Sequence, residues 1–212
     1  MVERLNHGDL KPKHEFCSMA PQLGGPTLEQ MLKPFTERMK THTGVTVLED
    51  GAGAMVSRAW LAQKAVRTLD VQYFIFSADN VGLVGIDLLL RAAERGVRVR
   101  LMIDDLLVDT DASFLLALDA HPNLEIRIYN PNLRAGKNLP SALLNTVTDF
   151  RGVNQRMHNK TLIIDGNAVI TGGRNVADEY FDFNTTYNFR DRDVLLLGGA
   201  VGQIIKSFNE FW

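Results

Sequence analysis

The sequence predicts an α/β fold built on a mixed, largely parallel β-sheet that is flanked by helices on both faces. Apolar runs rich in β-branched and aromatic residues alternate with leucine-rich stretches of helical period along the chain. A strand–helix–strand succession over residues 69–103 implies parallel pairing through a right-handed crossover. A later pair of apolar runs, joined by Asp165 and Gly166, indicates a hairpin.

The N-terminal part is predicted to differ from the rest. At 212 residues the chain is long enough for one large domain, or for a domain with an extension. Residues 1–43 are predicted to be a loosely structured extension, in which Thr27 caps a helix at residues 27–40 that contains Pro34. Residues 44–212 are predicted to form the folded domain.

Within that domain the periodicity predicts seven strands and four helices. The strands fall at residues 45–48, 69–76, 97–103, 124–129, 161–164, 168–171 and 193–197. The helices fall at residues 54–66, 84–95, 112–120 and 201–212. Gly51 and Gly53 before the first helix favour a tight turn, because a nucleotide-binding loop would need glycine where Val56 stands.

Composition excludes several classes of protein. The net charge of −2 provides no general basic field for nucleic acid. A single cysteine, Cys17, permits no internal disulfide. No apolar run is long enough to cross a membrane, and the N-terminus lacks the apolar core of a secretory signal. The expected location is a membrane surface, without a transmembrane segment in this chain, or otherwise the cytoplasm.

Four aspartates crowd the end of the strand at residues 97–103. They are Asp104, Asp105, Asp109 and Asp111. A Mg²⁺ or Ca²⁺ site is one interpretation. Turn and helix-capping carboxylates are the favoured one, because the spacing is irregular.

The strongest chemical signal surrounds the predicted hairpin. His158 and Lys160 are two residues apart at a strand, so their side chains should point to the same side. An imidazole beside a fixed cation suits an anion. Gly172 and Gly173 would let the backbone approach a ligand, and Asn175 could donate from its amide. Together these groups predict a phosphate-handling site.

His158, Lys160 and Asp165, followed by Gly172, Gly173 and Asn175, resemble the HKD signature of the phospholipase D superfamily. The segments "LDVQYFIF" and "RGVRVRLMIDD" resemble bacterial cardiolipin synthases within it, and the resemblance runs from about residue 44 to Trp212. It implies that residues 44–212 are a phospholipase D-like catalytic domain, like the N-terminal half of such a synthase.

The resemblance also implies a mechanism. One histidine attacks phosphorus to form a phosphohistidine, a second histidine protonates the leaving oxygen, and an alcohol or water then resolves the intermediate. His158 would be the nucleophile, and Lys160 with Gly172, Gly173 and Asn175 would hold the phosphate. No metal and no cofactor are implied.

Two acidic positions in the motif region have different expected roles. Asp165 belongs to the motif, but it is expected to close the hairpin and hold backbone amides. The family's orienting acid matches Asp191 by register, with Asp193 second. Alternatively, Asp191 is an ion-pair partner of Arg190 or Arg192.

The sequence departs from the two-motif enzymes because it carries one HKD motif where the reaction needs two. In order of preference, the chain is a truncated N-terminal half, a homodimer that builds its site across a two-fold axis, or an inactive remnant. The expected partners are an anionic glycerophospholipid, a membrane surface and a second HKD half-site. Cardiolipin synthase-like phosphatidyl transfer is the leading function. A homodimeric, metal-independent phosphodiesterase or nuclease and an inactive lipid-binding half-domain are the alternatives.

Overall fold

A computed structural model describes residues 2–4, 24–104, 112–129 and 156–212 of the chain. These residues form one sheet of eight strands, in the spatial order β1-β5-β4-β3-β6-β7-β8-β2. The strands are β1 Val2–Arg4, β2 Thr43–Leu48, β3 Thr68–Tyr73, β4 Arg98–Asp104, β5 Leu124–Tyr129, β6 Thr161–Ile164, β7 Ala168–Gly172 and β8 Asp193–Gly198. The α-helices are α1 Leu28–Leu32, α2 Thr36–Thr41, α3 Gly51–Lys64, α4 Asn80–Glu94, α5 Ala112–Asp119 and α6 Val201–Phe211.

The sheet is mixed, as predicted, but its parallel part is small. Among the described strands, only β3, β4 and β5 pair in parallel, through α4 and α5, while the neighbouring pairs on either side of them are antiparallel. The reason is the connection after β6, which reaches β7 through a three-residue turn and cannot span a crossover. In that turn Asp165 and Gly166 both have positive φ, of 51° and 69°, which suits the twist of a hairpin.

Helices cover both faces of the sheet, which confirms the predicted layering. One face packs its apolar side chains against α3 and α4, whose core residues include Leu61 and Leu89. The other face packs Ile163 and Val169 against α6 through Phe208. Strands β4, β6 and β7 therefore bury alternate side chains in two separate cores.

Two predicted elements differ in detail. The helix predicted at residues 27–40 has the Thr27 cap, but a 3₁₀ turn at Lys33–Phe35 divides it, since Pro34 cannot continue an α-helix. The predicted tight turn at Gly51 is wrong, because α3 begins there with Asp50 as its N-cap. A side chain at Gly51 would lie 2.4 Å from the Phe181 carbonyl carbon, so close packing explains that glycine.

The boundary between the extension and the domain stays a prediction. Val2–Arg4, within the predicted extension, forms β1 and pairs with β5. A separate expectation concerned membrane-spanning segments. None of the helices in the described ranges is long and apolar enough to span a membrane.

Candidate active site

The candidate site lies at one edge of the sheet. Strands β2, β3, β4 and β7 end at this edge, and β6 and β8 begin there, because β6 and β8 run antiparallel to their neighbours. His158 and Lys160 immediately precede β6, and Gly173 follows β7. Asp191 precedes β8. The topology thus brings together residues that are up to 33 positions apart.

His158 and Lys160 lie on the same side, which confirms the alternation argument. The imidazole of His158 is exposed and packs on the Phe74 ring, with a centroid separation of 5.0 Å. The Lys160 Nζ lies 5.5 Å from the centroid of the same ring. The ammonium also donates to the His158 carbonyl at 2.9 Å. This bond fixes the distance between the cation and the histidine backbone.

The Lys160 side chain carries its charge in a buried position, where only 5% of the residue is exposed. Burial lowers the pKa of Lys160, because desolvation disfavours the ammonium. The carboxylates of Asp191 and Asp193 oppose this effect and raise the pKa of Lys160. Both carboxylates are therefore close enough to act on the cation.

A buried aspartate anchors the segment that carries His158. The Asp104 carboxylate, at the end of β4, accepts from the Met157 backbone N–H at 3.0 Å and from the Arg156 guanidinium at 3.0 Å. The Gln72 amide donates to the Met157 sulfur at 3.0 Å. The favoured interpretation of Asp104 as a turn or cap residue thus missed a long-range role, because the carboxylate holds a segment 52 residues downstream.

Asp165 lies at the opposite edge of the sheet from His158, since β6 separates them. Its carboxylate accepts three backbone N–H groups, from Val66 at 3.0 Å, Arg67 at 2.7 Å and Thr68 at 2.9 Å. These contacts tie the hairpin turn to the start of β3. Asp165 is therefore a framework residue of the motif and is remote from the other candidate groups.

The two glycines at the end of β7 are needed by the chain's own packing. A side chain at Gly172 would meet the Arg192 carbonyl oxygen and the Asp193 Oδ1, each at 2.4 Å. A side chain at Gly173 would meet the Asp191 Oδ1 at 2.3 Å. The start of β8 therefore fills the space that glycine leaves, and the turn presents backbone at its outer surface.

Asn175 is buried and engaged with the protein at both ends of its amide. Its Oδ1 accepts from the Ile75 backbone N–H at 3.0 Å, which joins the turn after β7 to the segment after β3. Its side chain also hydrogen-bonds the Tyr180 hydroxyl, which opposes the rise that burial gives to the pKa of Tyr180. The structure places Asn175 at the site, with its amide directed to protein groups.

The two acids considered for orienting His158 occupy different environments. Asp191 is half-buried against Gly173, and the described residues provide the His158 imidazole with no hydrogen-bond partner. Asp193 is fully buried and its Oδ2 pairs with Arg58 at 2.8 Å. The orienting role of Asp191 thus stays a prediction, and Asp193 is committed to an ion pair. Arg192 pairs with Glu49, so the alternative Arg192–Asp191 pair is not formed.

Sequence reasoning missed Arg58 and Arg174, which are buried behind the glycine turn. Arg174 lies between the two motif residues Gly173 and Asn175, and its spacing could have drawn attention to it. Arg58 lies on α3, 135 positions from the Asp193 that it pairs with, and no local pattern could have found it. Beside the turn an open cavity of about 250 Å³ is lined by Arg174, Asp191 and neighbouring charged residues.

In the described parts of the chain, no three His, Cys, Asp or Glu side chains converge as metal ligands. Asp105, Asp109 and Asp111, which belong to the predicted aspartate cluster, lie outside those parts.

Sequence and structure comparisons agree on the family. The model "Cardiolipin synthase, PLD-like domain" matches residues 61–212. Cardiolipin synthase C of Escherichia coli (strain K12) is 37% identical over 188 residues, which cover 88% of this chain and 39% of that protein. An uncharacterized protein of Helicobacter pylori (strain ATCC 700392 / 26695) is 37% identical over 181 residues, which cover 84% of this chain and 36% of that protein.

The fold has a match among solved structures. NucT from Helicobacter pylori superposes with a TM-score of 0.56 at 16% identity, covering 80% of this chain and 94% of that chain. The chain spans somewhat more than a third of the length of the two curated relatives. With the HKD residues at one sheet edge and a family model that covers most of its length, the chain belongs to the cardiolipin synthase-type PLD-like domains of the phospholipase D superfamily.

Proposed function

We propose that this chain provides one half-site for phosphodiester transfer on glycerophospholipids, most closely the phosphatidyl transfer that forms cardiolipin. His158 is the nucleophile and Lys160 is the cation that holds the phosphate. One observation carries the proposal. An exposed imidazole and a buried ammonium share one side of the sheet edge, next to a turn of close-packed glycines.

The chemistry requires each of these groups. A His158 nitrogen forms a bond to phosphorus while the bond from phosphorus to the leaving alkoxide breaks, and the leaving oxygen takes a proton from a second imidazole. An acceptor hydroxyl then attacks the phosphohistidine, gives its proton to that second imidazole and releases His158. Lys160 neutralises charge on the non-bridging oxygens throughout.

The second imidazole comes from outside the described residues of one chain. The preferred source is a C-terminal part with its own HKD motif, because the chain corresponds to 36% and 39% of the length of the two relatives. A second copy of the chain is the other source, with a two-fold axis between the two His158 side chains.

The substrate class follows from charge and from the relatives. A phosphodiester headgroup is an anion, and a partly desolvated lysine attracts it more strongly than a solvated one does. The relative from Escherichia coli bears the name cardiolipin synthase C, which favours an anionic glycerophospholipid at a membrane surface. The net charge of −2 favours lipid over nucleic acid.

The test is to trap the intermediate. The chain would be incubated with phosphatidylglycerol labelled with ³²P, alone and together with the C-terminal part of a two-motif relative. We expect an acid-labile, alkali-stable label on His158 when both half-sites are present. His158→Ala should lose the label, whereas His42→Ala, which removes another exposed histidine at the start of β2, should keep it.

Two results would contradict the proposal. If neither label nor turnover is observed with both half-sites present, the phosphohistidine route is excluded for this chain. Hydrolysis of DNA by the chain alone, abolished in His158→Ala, would indicate the nuclease alternative instead.

A further inference from the structure

Three buried charged side chains lie directly behind the glycine turn. Arg58 of α3 donates to the Asp193 Oδ2 at 2.8 Å, and both side chains are almost completely buried. Arg174 lies 3.5 Å from the same oxygen and is 3% exposed. The Arg174 backbone N–H donates to the Asp193 Oδ1 at 3.2 Å. One carboxylate is thus shared by two guanidinium groups.

The Arg174 guanidinium also holds three backbone carbonyls from two segments. It donates to the carbonyl oxygens of Leu48 at 3.0 Å, Glu49 at 2.7 Å and Tyr180 at 3.0 Å. Leu48 ends β2, and Tyr180 belongs to the 3₁₀ turn at Asp178–Tyr180. Arg174 therefore fixes its own turn against two other connections at the edge of the sheet.

The Arg58 guanidinium, on α3, is also held by several contacts. Its guanidinium donates to the Ala54 carbonyl at 3.0 Å and to the Tyr73 hydroxyl at 3.2 Å. It also lies 5.2 Å from the centroid of the Phe181 ring. Among the described residues, Asp193 connects Arg58 to the glycine turn, so any effect of Arg58 on a bound phosphate passes through charge or through that carboxylate.

The network touches the candidate phosphate site directly. A side chain at Gly172 would lie 2.4 Å from the Asp193 Oδ1, so the carboxylate is against the turn. Burial lowers the pKa of Lys160, and this carboxylate, like that of Asp191, opposes the lowering. Counting Arg58, Arg174 and Lys160 against Asp193 and the half-buried Asp191, the groups around the turn carry one more positive than negative charge.

A purely structural buried ion pair gains most when its charges are balanced, because each unpaired buried charge costs desolvation energy. Here the three cations outnumber the carboxylates of Asp191 and Asp193 by one, while neutral backbone carbonyl oxygens accept the remaining hydrogen bonds of Arg174. An anion bound at the turn would complete the balance. This arrangement favours a role in binding over a role in folding alone.

We propose that Arg58, Arg174 and Asp193 form a positioning network that fixes the turn at residues 172–175 and provides surplus positive charge for a phosphate bound there. This inference rests on the proposed function for the identity of the anion as a phosphodiester. None of the three side chains needs to contact the reacting atoms. Arg58 and Arg174 strengthen phosphate binding, and Asp193 limits it.

The test measures the affinity of the full chain for inorganic phosphate, by calorimetry at fixed ionic strength. Arg58→Met should weaken phosphate binding about fivefold or more, the scale that one lost unit charge produces at the effective dielectric constant of a protein. Arg58→Lys should restore most of the affinity. Arg91→Met is the matched control, because Arg91 lies on α4 in an exposed pair with Asp87 and should leave affinity unchanged.

The direction in which Asp193→Asn changes phosphate affinity distinguishes an electrostatic role of the network from a purely structural one. It keeps an Oδ1 acceptor for the Arg174 N–H and removes one negative charge, so phosphate should bind about threefold or more tightly. A merely structural network would give weaker or equal binding. Circular dichroism would establish that each variant is folded, and Asp193→Asn decides the matter if Arg58→Met does not fold.

Three results would overturn the inference: no phosphate binding by the unchanged chain, equal affinity in folded Arg58→Met, or weaker or equal binding in folded Asp193→Asn. Failure of the proposed function is distinguishable from these. In that case phosphate binding would respond to the network variants as expected, while no phosphohistidine would form with both half-sites present.

Discussion

Lys160 combines a charge with a buried environment, and this combination predicts how binding depends on pH. Because burial lowers the pKa of Lys160, the ammonium loses its proton at a lower pH than an exposed lysine would. Phosphate affinity should therefore fall with rising pH before the usual lysine range is reached. Calorimetric titrations with phosphate over the alkaline range would measure the midpoint.

Lys160→Arg is the control for that pH dependence, since a guanidinium keeps its charge over the whole range. Its phosphate affinity should be weaker at neutral pH, because the geometry differs, but nearly constant as the pH rises. A wild-type midpoint at or above the usual lysine value would contradict the argument. The same profile in both proteins would assign the pH dependence to another group.

The glycines offer a second prediction at the scale of single residues. Gly172→Ala should destabilise the fold by about 2 kcal/mol or more, because its Cβ would overlap the start of β8. Gly202→Ala, on the exposed side of α6 with no atom within 4 Å of its added Cβ, should stabilise by about 0.5–1 kcal/mol. Urea denaturation of both variants measures the two effects. Equal stability in the two variants would contradict the packing explanation.

Asp165 should affect stability rather than chemistry. Asp165→Ala removes the acceptor of three backbone amides and should lower the free energy of unfolding by about 3 kcal/mol. Asp165→Asn keeps an oxygen for two of them and tolerates positive φ, so its loss should be smaller. Denaturant titration measures both. If Asp165→Ala were as stable as wild type, the carboxylate would not be holding β3 to the hairpin.

At the scale of elements, α6 covers one face of the sheet mainly through Phe208. Phe208 is 1% exposed, stacks on Trp212 and lies beneath the Arg100 guanidinium at 4.8 Å. Phe208→Ala should cost about 3–5 kcal/mol, the usual cost of a buried aromatic truncation. The neighbouring exposed Asn209→Ala should change stability by less than about 0.5 kcal/mol. Thermal unfolding that shifted equally in both variants would contradict this account of α6.

Among the strands, those with local sequence signals were the predictable ones. The hairpin of β6 and β7 was predictable because its signals are local: two β-branched runs and a turn pair that accepts positive φ. The HKD residues could be identified from their spacing around that hairpin. The limited extent of parallel pairing was not predictable in the same way, because strand order depends on which distant strands meet.

The parts of the site that sequence missed depend on contacts between distant positions. Arg58 and Asp193 are 135 positions apart, and Asp104 holds a segment 52 positions away. Neither pair leaves a periodic or local mark on the sequence. The glycines were predicted to allow close approach to a ligand, which stays a prediction, and the structure adds that the start of β8 packs against them.

For the whole molecule, the decisive question is where the second half-site comes from. The chain carries one exposed motif histidine, and the relatives it matches are more than twice as long. We therefore expect the purified chain to be a monomer by light scattering and to show no phosphatidyl transfer at any concentration. Adding the C-terminal part of a two-motif relative should restore turnover, and His158→Ala should abolish it again.

A dimer with activity would reverse that expectation, and concentration dependence distinguishes the two arrangements. If two copies form the site, specific activity rises as the chain concentration passes through the dissociation constant of the dimer. It levels off at concentrations well above that constant. Mixing wild type with excess His158→Ala would then reduce activity, because mixed dimers lack one of the two imidazoles that the reaction needs. If the second site comes from a C-terminal part, the same mixture loses no activity beyond simple competition for that part.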